Sequence, residues 1–266
     1  MRLLLLFLLA AFNSFLAGWL DSYTNYDRLS SYAWESDEFR ALKLGEAIAG
    51  EANLDGDAVA ALMAEHGFDL TGFKLRTPLS IRYPKERRAG FKKLSAAYGM
   101  LFDDLKYFPV PKSLFSDTPD VSYSDGWMEK RSYGGERGHE GCDIMGSERE
   151  RGFYPVVSIT DGTVEKVGWL EKGGWRIGIR APSGAYFYYA HLYRYEKEWS
   201  EGDEVRAGEL LGFMGDSGYG PEGTTGMFDV HLHLGVYLRT DHYEELSVNP
   251  YWILRFLEKY RLEYAY

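Results

Sequence analysis

Apolar and polar positions change their rhythm twice along the chain. Met1 and Arg2 precede a nearly unbroken apolar run over residues 3–12, and apolar character continues to Leu20. A short basic start before an apolar stretch is the pattern of a secretory signal. The full run is about 18 residues, the lower bound for a helix spanning a bilayer. Residues 1–20 therefore read as a signal peptide or an N-terminal anchor. Over 21–108 apolar residues recur at helical spacing. Residues 36–49 read as one helix, and 57–66 as another, closed by Gly67. Between Pro84 and Leu105, the residues Phe91, Leu94, Tyr98, Leu101 and Leu105 form one stripe with Lys and Arg between them. Pro109, Pro111 and Pro119 then punctuate a stretch without sustained period, 109–125, which reads as a linker.

From Gly126 the rhythm shortens. Strand-like runs occur at 154–160, 162–169, 175–180, 185–191, 209–214 and 230–238. Asp161-Gly162, Lys172-Gly173-Gly174 and Pro182-Ser183-Gly184 mark turns between them. Short strands with no helix between them predict an antiparallel sheet. A last helix follows, with Asn249 as cap, Pro250 in the first turn, and Ile253, Phe256, Leu257 and Tyr260 as its apolar stripe. The expected fold class is α+β. A mostly antiparallel β domain with a groove occupies 126–266, preceded by a small helical region at 21–108 and ending in the C-terminal helix.

Composition narrows the function classes. With 21 Tyr, 7 Trp and 30 Gly among 266 residues, the chain favours strands, turns and an open groove. Its net charge of −10 repels phosphate backbones, so nucleic acid is not an expected partner. The one cysteine, Cys142, allows no internal disulfide and no cysteine-based zinc site. It is expected to be buried.

Four of the six histidines fall in three clusters: Gly138-His139-Glu140-Gly141-Cys142-Asp143, Tyr189-Ala190-His191-Leu192, and Val230-His231-Leu232-His233-Leu234. Side chains two apart on a strand share a face. His231 and His233 therefore point one way, and Val230, Leu232 and Leu234 the other. Burying two unpaired imidazoles is costly, so the pair is either solvated or on a metal. His139 and Asp143, four apart, also suit one face. Two histidines and a carboxylate leave a coordination position free, which is the donor set of an open catalytic zinc site. His191 and His231 remain for proton transfer or for steadying an oxyanion. His66 reads as a helix-end residue, and His242 as solvated.

These clusters resemble the lysostaphin-type (LytM-type) zinc metallopeptidases. Gly138-His139-Glu140-Gly141-Cys142-Asp143-Ile144 is similar to the family's His-x-Gly-x-Asp-Ile start. Asp161-Gly162-Thr163-Val164, Gly202-Asp203-Glu204-Val205, Gly208-Glu209-Leu210-Leu211-Gly212, Gly215-Asp216-Ser217-Gly218 and Asn249-Pro250 follow in the family's order. The likeness covers about 126–252. It implies one Zn²⁺ per chain on His139, Asp143 and His233, with His191 and His231 as the catalytic pair, and Tyr133 where some members place a groove tyrosine. It further implies an endopeptidase that cuts peptidoglycan stem peptides or cross-bridges. Export and membrane contact are expected from the N-terminal segment, and the protein is expected to be a monomer. One departure stands out: residues 219–230 form a longer loop than the family's usual one.

Other readings are open on the residues alone. His139-Glu140-x-x-Asp143 could be a variant of the helical His-Glu-x-x-His motif, but Gly141 argues against a helix. A facial iron triad uses the same donors, though two extra histidines suit hydrolysis better. The non-enzyme alternative is a scaffold or activator of other wall hydrolases. All five site positions are filled here, which favours catalysis.

Overall fold

A computed structural model of the chain describes residues 8–16, 29–51, 53–74, 89–147 and 150–266. Residues 8–16 are helical and exposed; the rest of the expected export segment lies outside the described residues, as do residues 84–88. No helix among the described residues is long and apolar enough to cross a membrane.

Among its described residues the helical region contains four α-helices: α1 (Asp37–Ala41), α2 (Gly45–Ala49), α3 (Gly56–Glu65) and α4 (Ala89–Phe102). The single helix expected over 36–49 is instead two. Ser36 Oγ caps α1 by accepting from the Phe39 N–H, and Leu42 then turns left-handed at φ 45°. Burial explains the break: Leu42 and Leu44 both point fully into the core, which one straight helix does not allow. A Cβ on Gly45 would lie 2.2 Å from the Leu70 carbonyl oxygen, so the chain restarts on a glycine. Asp55 caps α3, accepting from Asp57 and Ala58. Phe91, Leu94, Tyr98 and Leu101 of α4 are fully buried as their spacing predicts. His66 closes α3, its N–H on the Leu62 carbonyl.

The sheet is almost wholly antiparallel. Its main path runs β10 (Glu204–Val205), β7 (Gly162–Leu170), β8 (Gly174–Arg180), β9 (Tyr186–Tyr195), β12 (His231–Leu238), β5 (Cys142–Met145), β2 (Ser122–Tyr123). β11 (Leu210–Met214) joins β9 to β6 (Pro155–Val157), and β13 (Leu246–Val248) pairs with β12. β3 (Lys130–Arg131) and β4 (Arg137–Gly138) make a separate hairpin. β1 (Lys112–Ser113) pairs in parallel with β14 (Glu263–Tyr264).

Residues 109–125, read as a linker, carry β1 and β2. The Pro109 carbonyl accepts from Val157, and β2 extends the sheet beside β5. The prolines mark an irregular path, but backbone groups against a sheet edge must still be paired. One apolar cluster runs from Phe39, Leu62 and Tyr98 of the helices to Ile177, Leu232 and Val248 of the sheet and Ile253 of the last helix, α5 (Tyr251–Leu257).

Candidate metal centre and groove

Strand register builds the centre. β12 lies against β5 with His233 directly opposite Asp143, and against β9 with His233 opposite Ala190. Leu232 and Leu234 are fully buried in the core, so the strand's alternation turns His231 and His233 to the groove. His139 enters from the connection between β4 and β5.

His139 Nε2 lies 3.0 Å from Asp143 Oδ1 and 3.1 Å from His233 Nδ1. His233 Nδ1 lies 2.9 Å from the same carboxylate oxygen. A tetrahedral ion at about 2.0–2.2 Å from its ligands sets them roughly 3.3 Å apart. The trio therefore fits a small divalent cation with little movement, and its ligand atoms all fall within 4.8 Å of one another. His139 Nδ1 faces the Gly126 carbonyl at 3.2 Å; donating there fixes the tautomer that leaves Nε2 as a ligand. Burial works to raise the pKa of Asp143. The hydrogen bonds of His139 and His233 and the charges of His233 and His231 hold it well below the carboxylate range instead. Arg131 Nη2 grips its other oxygen at 2.7 Å. The carboxylate is ionised and aimed, as a ligand must be.

His191 and His231 stand beside this trio, with ring centroids 4.8 Å apart. Both are anchored the same way. His191 Nδ1 lies 2.8 Å from the Ser217 carbonyl, and His231 Nδ1 lies 2.7 Å from the Asp229 carbonyl. Donation from each Nδ1–H leaves both Nε2 lone pairs free for the groove. Burial first, then the neighbouring His231 and His233, pushes the pKa of His191 well below the histidine range, so the free ring is neutral and would hold an added proton only weakly. Its backbone is left-handed at φ 64°, a strained conformation typical of functional positions.

The groove encloses about 660 Å³ and holds all five histidine and aspartate positions singled out from the sequence. Tyr133 also lines it. The long loop 219–230 places Tyr219 and Phe228 on its wall, with the Phe228 ring 4.6 Å from His191 and 5.0 Å from His231. Sequence reading does not single out Arg131, Tyr219 or Phe228. Arg131 precedes His139 by eight residues with no motif around it, and the loop's aromatics are two among many. His242 is exposed but not merely solvated: its Nδ1 meets Glu35 Oε2 at 2.7 Å. Cys142 is buried, its thiol raised by burial and by the nearby Asp143 and Asp125 charges.

The chain is similar to known proteins. Residues 137–250 match peptidase family M23. A solved structure described as a candidate glycyl-glycine endopeptidase LytM from Ruminococcus gnavus is 44% identical, with a TM-score of 0.72, covering 90% of this chain and 99% of that one. The L-Ala–D-Glu endopeptidase of Bacillus subtilis (strain 168) is 41% identical over 173 residues, 65% of this chain. The matched stretch spans 50% of that enzyme's length. The glycyl-glycine endopeptidase ALE-1 of Staphylococcus capitis is 36% identical over 67 residues, 24% of this chain and 18% of its own. The ordered motifs, the antiparallel sheet that carries them and the 44% identity along nearly the whole chain agree: this chain belongs to peptidase family M23.

Proposed function

We propose that the chain is an exported zinc metalloendopeptidase that hydrolyses peptide bonds in the stem peptides or cross-bridges of bacterial peptidoglycan. One observation carries the reading. His139 Nε2, Asp143 Oδ1 and His233 Nδ1 converge on one point in a groove, and two backbone-anchored histidines face the same space. His139, Asp143 and His233 hold the ion. Zinc supplies Lewis-acid chemistry there, polarising a carbonyl and making water acidic enough to attack near neutral pH. The chain's own part is proton handling. His191, with Nδ1 on the Ser217 carbonyl and its Nε2 lone pair turned to the groove, takes a proton at Nε2 in the reaction and, holding it weakly, passes it to the leaving amine. His231, across from it, donates to the developing oxyanion in the form that carries a proton on Nε2 as well as on Nδ1. Ser217 and Asp229 keep both rings pointed inward.

Export rests on Arg2 and the apolar run after it, and the same segment supplies any membrane contact. One chain supplies all five site residues, so the proposed activity needs no second copy.

Purified protein incubated with peptidoglycan tests the reading, with metal content by mass spectrometry and released fragments by mass. Native protein is expected to hold one zinc and release peptide fragments. His139→Ala and Asp143→Ala lose both zinc and activity. His191→Ala and His231→Ala keep zinc but lose activity. Wall digestion by the Asp143→Ala variant, or native protein that binds no zinc, overturns the assignment.

A further inference from the structure

The charge of the groove runs against that of the chain. Net charge is −10, yet Lys130, Arg131, Arg137, Lys166, Lys172 and Arg176 line the groove against Glu140, Asp143 and Glu245. Some of these cations are already engaged. Arg131 holds Asp143, Lys166 reaches Glu201 at 3.4 Å, and Arg137 donates to the Tyr133 carbonyl. Arg176 is different. Among the described residues its guanidinium has no ion-pair partner, and its Nη1 is buried without a hydrogen-bond partner. A buried donor left unpaired is destabilising, more so when charged, so it calls for a partner that arrives from outside.

Its position says which one. Trp175 pairs with Leu192 and Ile177 with Tyr189, so Arg176 alone stands opposite two residues, Ala190 and His191. This is a β-bulge, a device that re-aims side chains beside active sites. It places Arg176 across the strand pair from Ala190 and His191, and the His191 N–H goes to the nearby Gly173 carbonyl at 2.8 Å. Tyr186 and Tyr188, the neighbours that feel the Arg176 charge, line the same groove. A guanidinium presents two parallel N–H donors that match a carboxylate.

We propose that Arg176 anchors a free carboxylate of the substrate peptide beside the scissile bond. The inference rests on the endopeptidase reading and narrows it to acidic stem peptides. A γ-linked D-Glu carries a free α-carboxylate next to its amide bond with L-Ala, whereas a glycine bridge has no carboxylate there. Arg176 thus separates D-Glu stems from stems whose α-carboxylate is amidated.

Two synthetic peptides decide it: acetyl-L-Ala-γ-D-Glu-L-Lys-D-Ala and the same peptide with the D-Glu α-carboxylate amidated. Native protein is expected to favour the acid at least tenfold in kcat/KM, mainly through KM. Arg176→Gln brings that ratio near one with zinc content and melting temperature unchanged, and Arg176→Lys keeps part of it. Equal native rates on both peptides, or an Arg176→Gln variant that slows both by the same factor, overturns the anchor. If native protein cuts neither peptide, calorimetric binding decides: tighter binding of the acid supports the anchor, and equal binding overturns it. Failure of the peptidase reading looks different, as zinc is then absent and neither peptide nor peptidoglycan is cut.

Discussion

Tyr133 and Tyr219 lie face to face on the groove wall, ring centroids 4.2 Å apart and planes 2° from parallel. One comes from the β3–β4 turn, the other from the start of the long loop 219–230. Tyr219 adopts φ 60° to reach this position, a left-handed conformation that costs a residue with a Cβ about 1–2 kcal/mol. Its N–H is tied to the Glu171 carbonyl at 2.7 Å. The stack is therefore held against local strain. A double-mutant cycle with Tyr133→Ala and Tyr219→Ala, followed by urea unfolding, is expected to show coupling of about 0.5–1.5 kcal/mol. Strictly additive losses mean that the rings only happen to lie parallel.

Gly141 should be as sensitive as a ligand. A Cβ there would lie 2.4 Å from His233 Cε1, 2.6 Å from His233 Nε2 and 2.8 Å from the Leu234 carbonyl oxygen. β12 is locked on both sides, so the imidazole has to move. Gly141→Ala is expected to lose metal affinity by at least the 10–100-fold typical of changes that disturb ligand orientation, while circular dichroism stays native. A zinc-loaded, active Gly141→Ala variant contradicts this packing.

The centre was legible in the sequence because strand alternation is a short-range rule. His231-Leu232-His233 sorts itself onto two faces with no knowledge of the neighbours, and His139 and Asp143 follow from their spacing. What pairs with Arg131 or opposes Arg176 depends on register between strands far apart in sequence, which no local pattern encodes. The helix break at Leu42 escaped for the same reason. Residues 36–49 have helical spacing, and only tertiary burial of both Leu42 and Leu44 forces the left-handed turn. The proline-marked 109–125 stretch shows the converse: irregular local signals do not stop a segment from completing a sheet edge.

Acid should weaken the fold through His191. In the unfolded chain its ring titrates near 6.5, whereas burial keeps it neutral in the fold well below that. Below about pH 6.5 the unfolded state therefore binds a proton that the folded state refuses, and stability falls as pH falls. Above that pH both states are neutral and the contribution vanishes. Melting temperature followed from pH 8 to 5 is expected to drop, and His191→Gln to flatten the slope by up to about 1.4 kcal/mol per pH unit. Parallel slopes for the two proteins exclude His191 as the source.

The helical region reaches the centre through Arg40. Its Nη2 meets Glu140, the residue after His139, at 2.7 Å and Ser247 Oγ at 2.8 Å, and its Nε donates to the Ser247 carbonyl at 3.1 Å. Its own carbonyl accepts from Asn249, whose side chain also bonds Ala41 and Asp125. The Arg40 side chain is only 18% exposed, which shields its bonds to Ser247, while the Glu140 carboxylate it holds is 47% exposed. Arg40→Ala is expected to destabilise the fold by about 1.5–3 kcal/mol and to speed amide exchange at residues 139–141. Lys43→Ala, which breaks an ion pair with Asp69 exposed on both sides, is the control and should cost below about 1 kcal/mol. If the two variants lose the same stability and residues 139–141 exchange as in the native protein, Arg40 is an ordinary surface charge and the helices cover the sheet without bracing the centre.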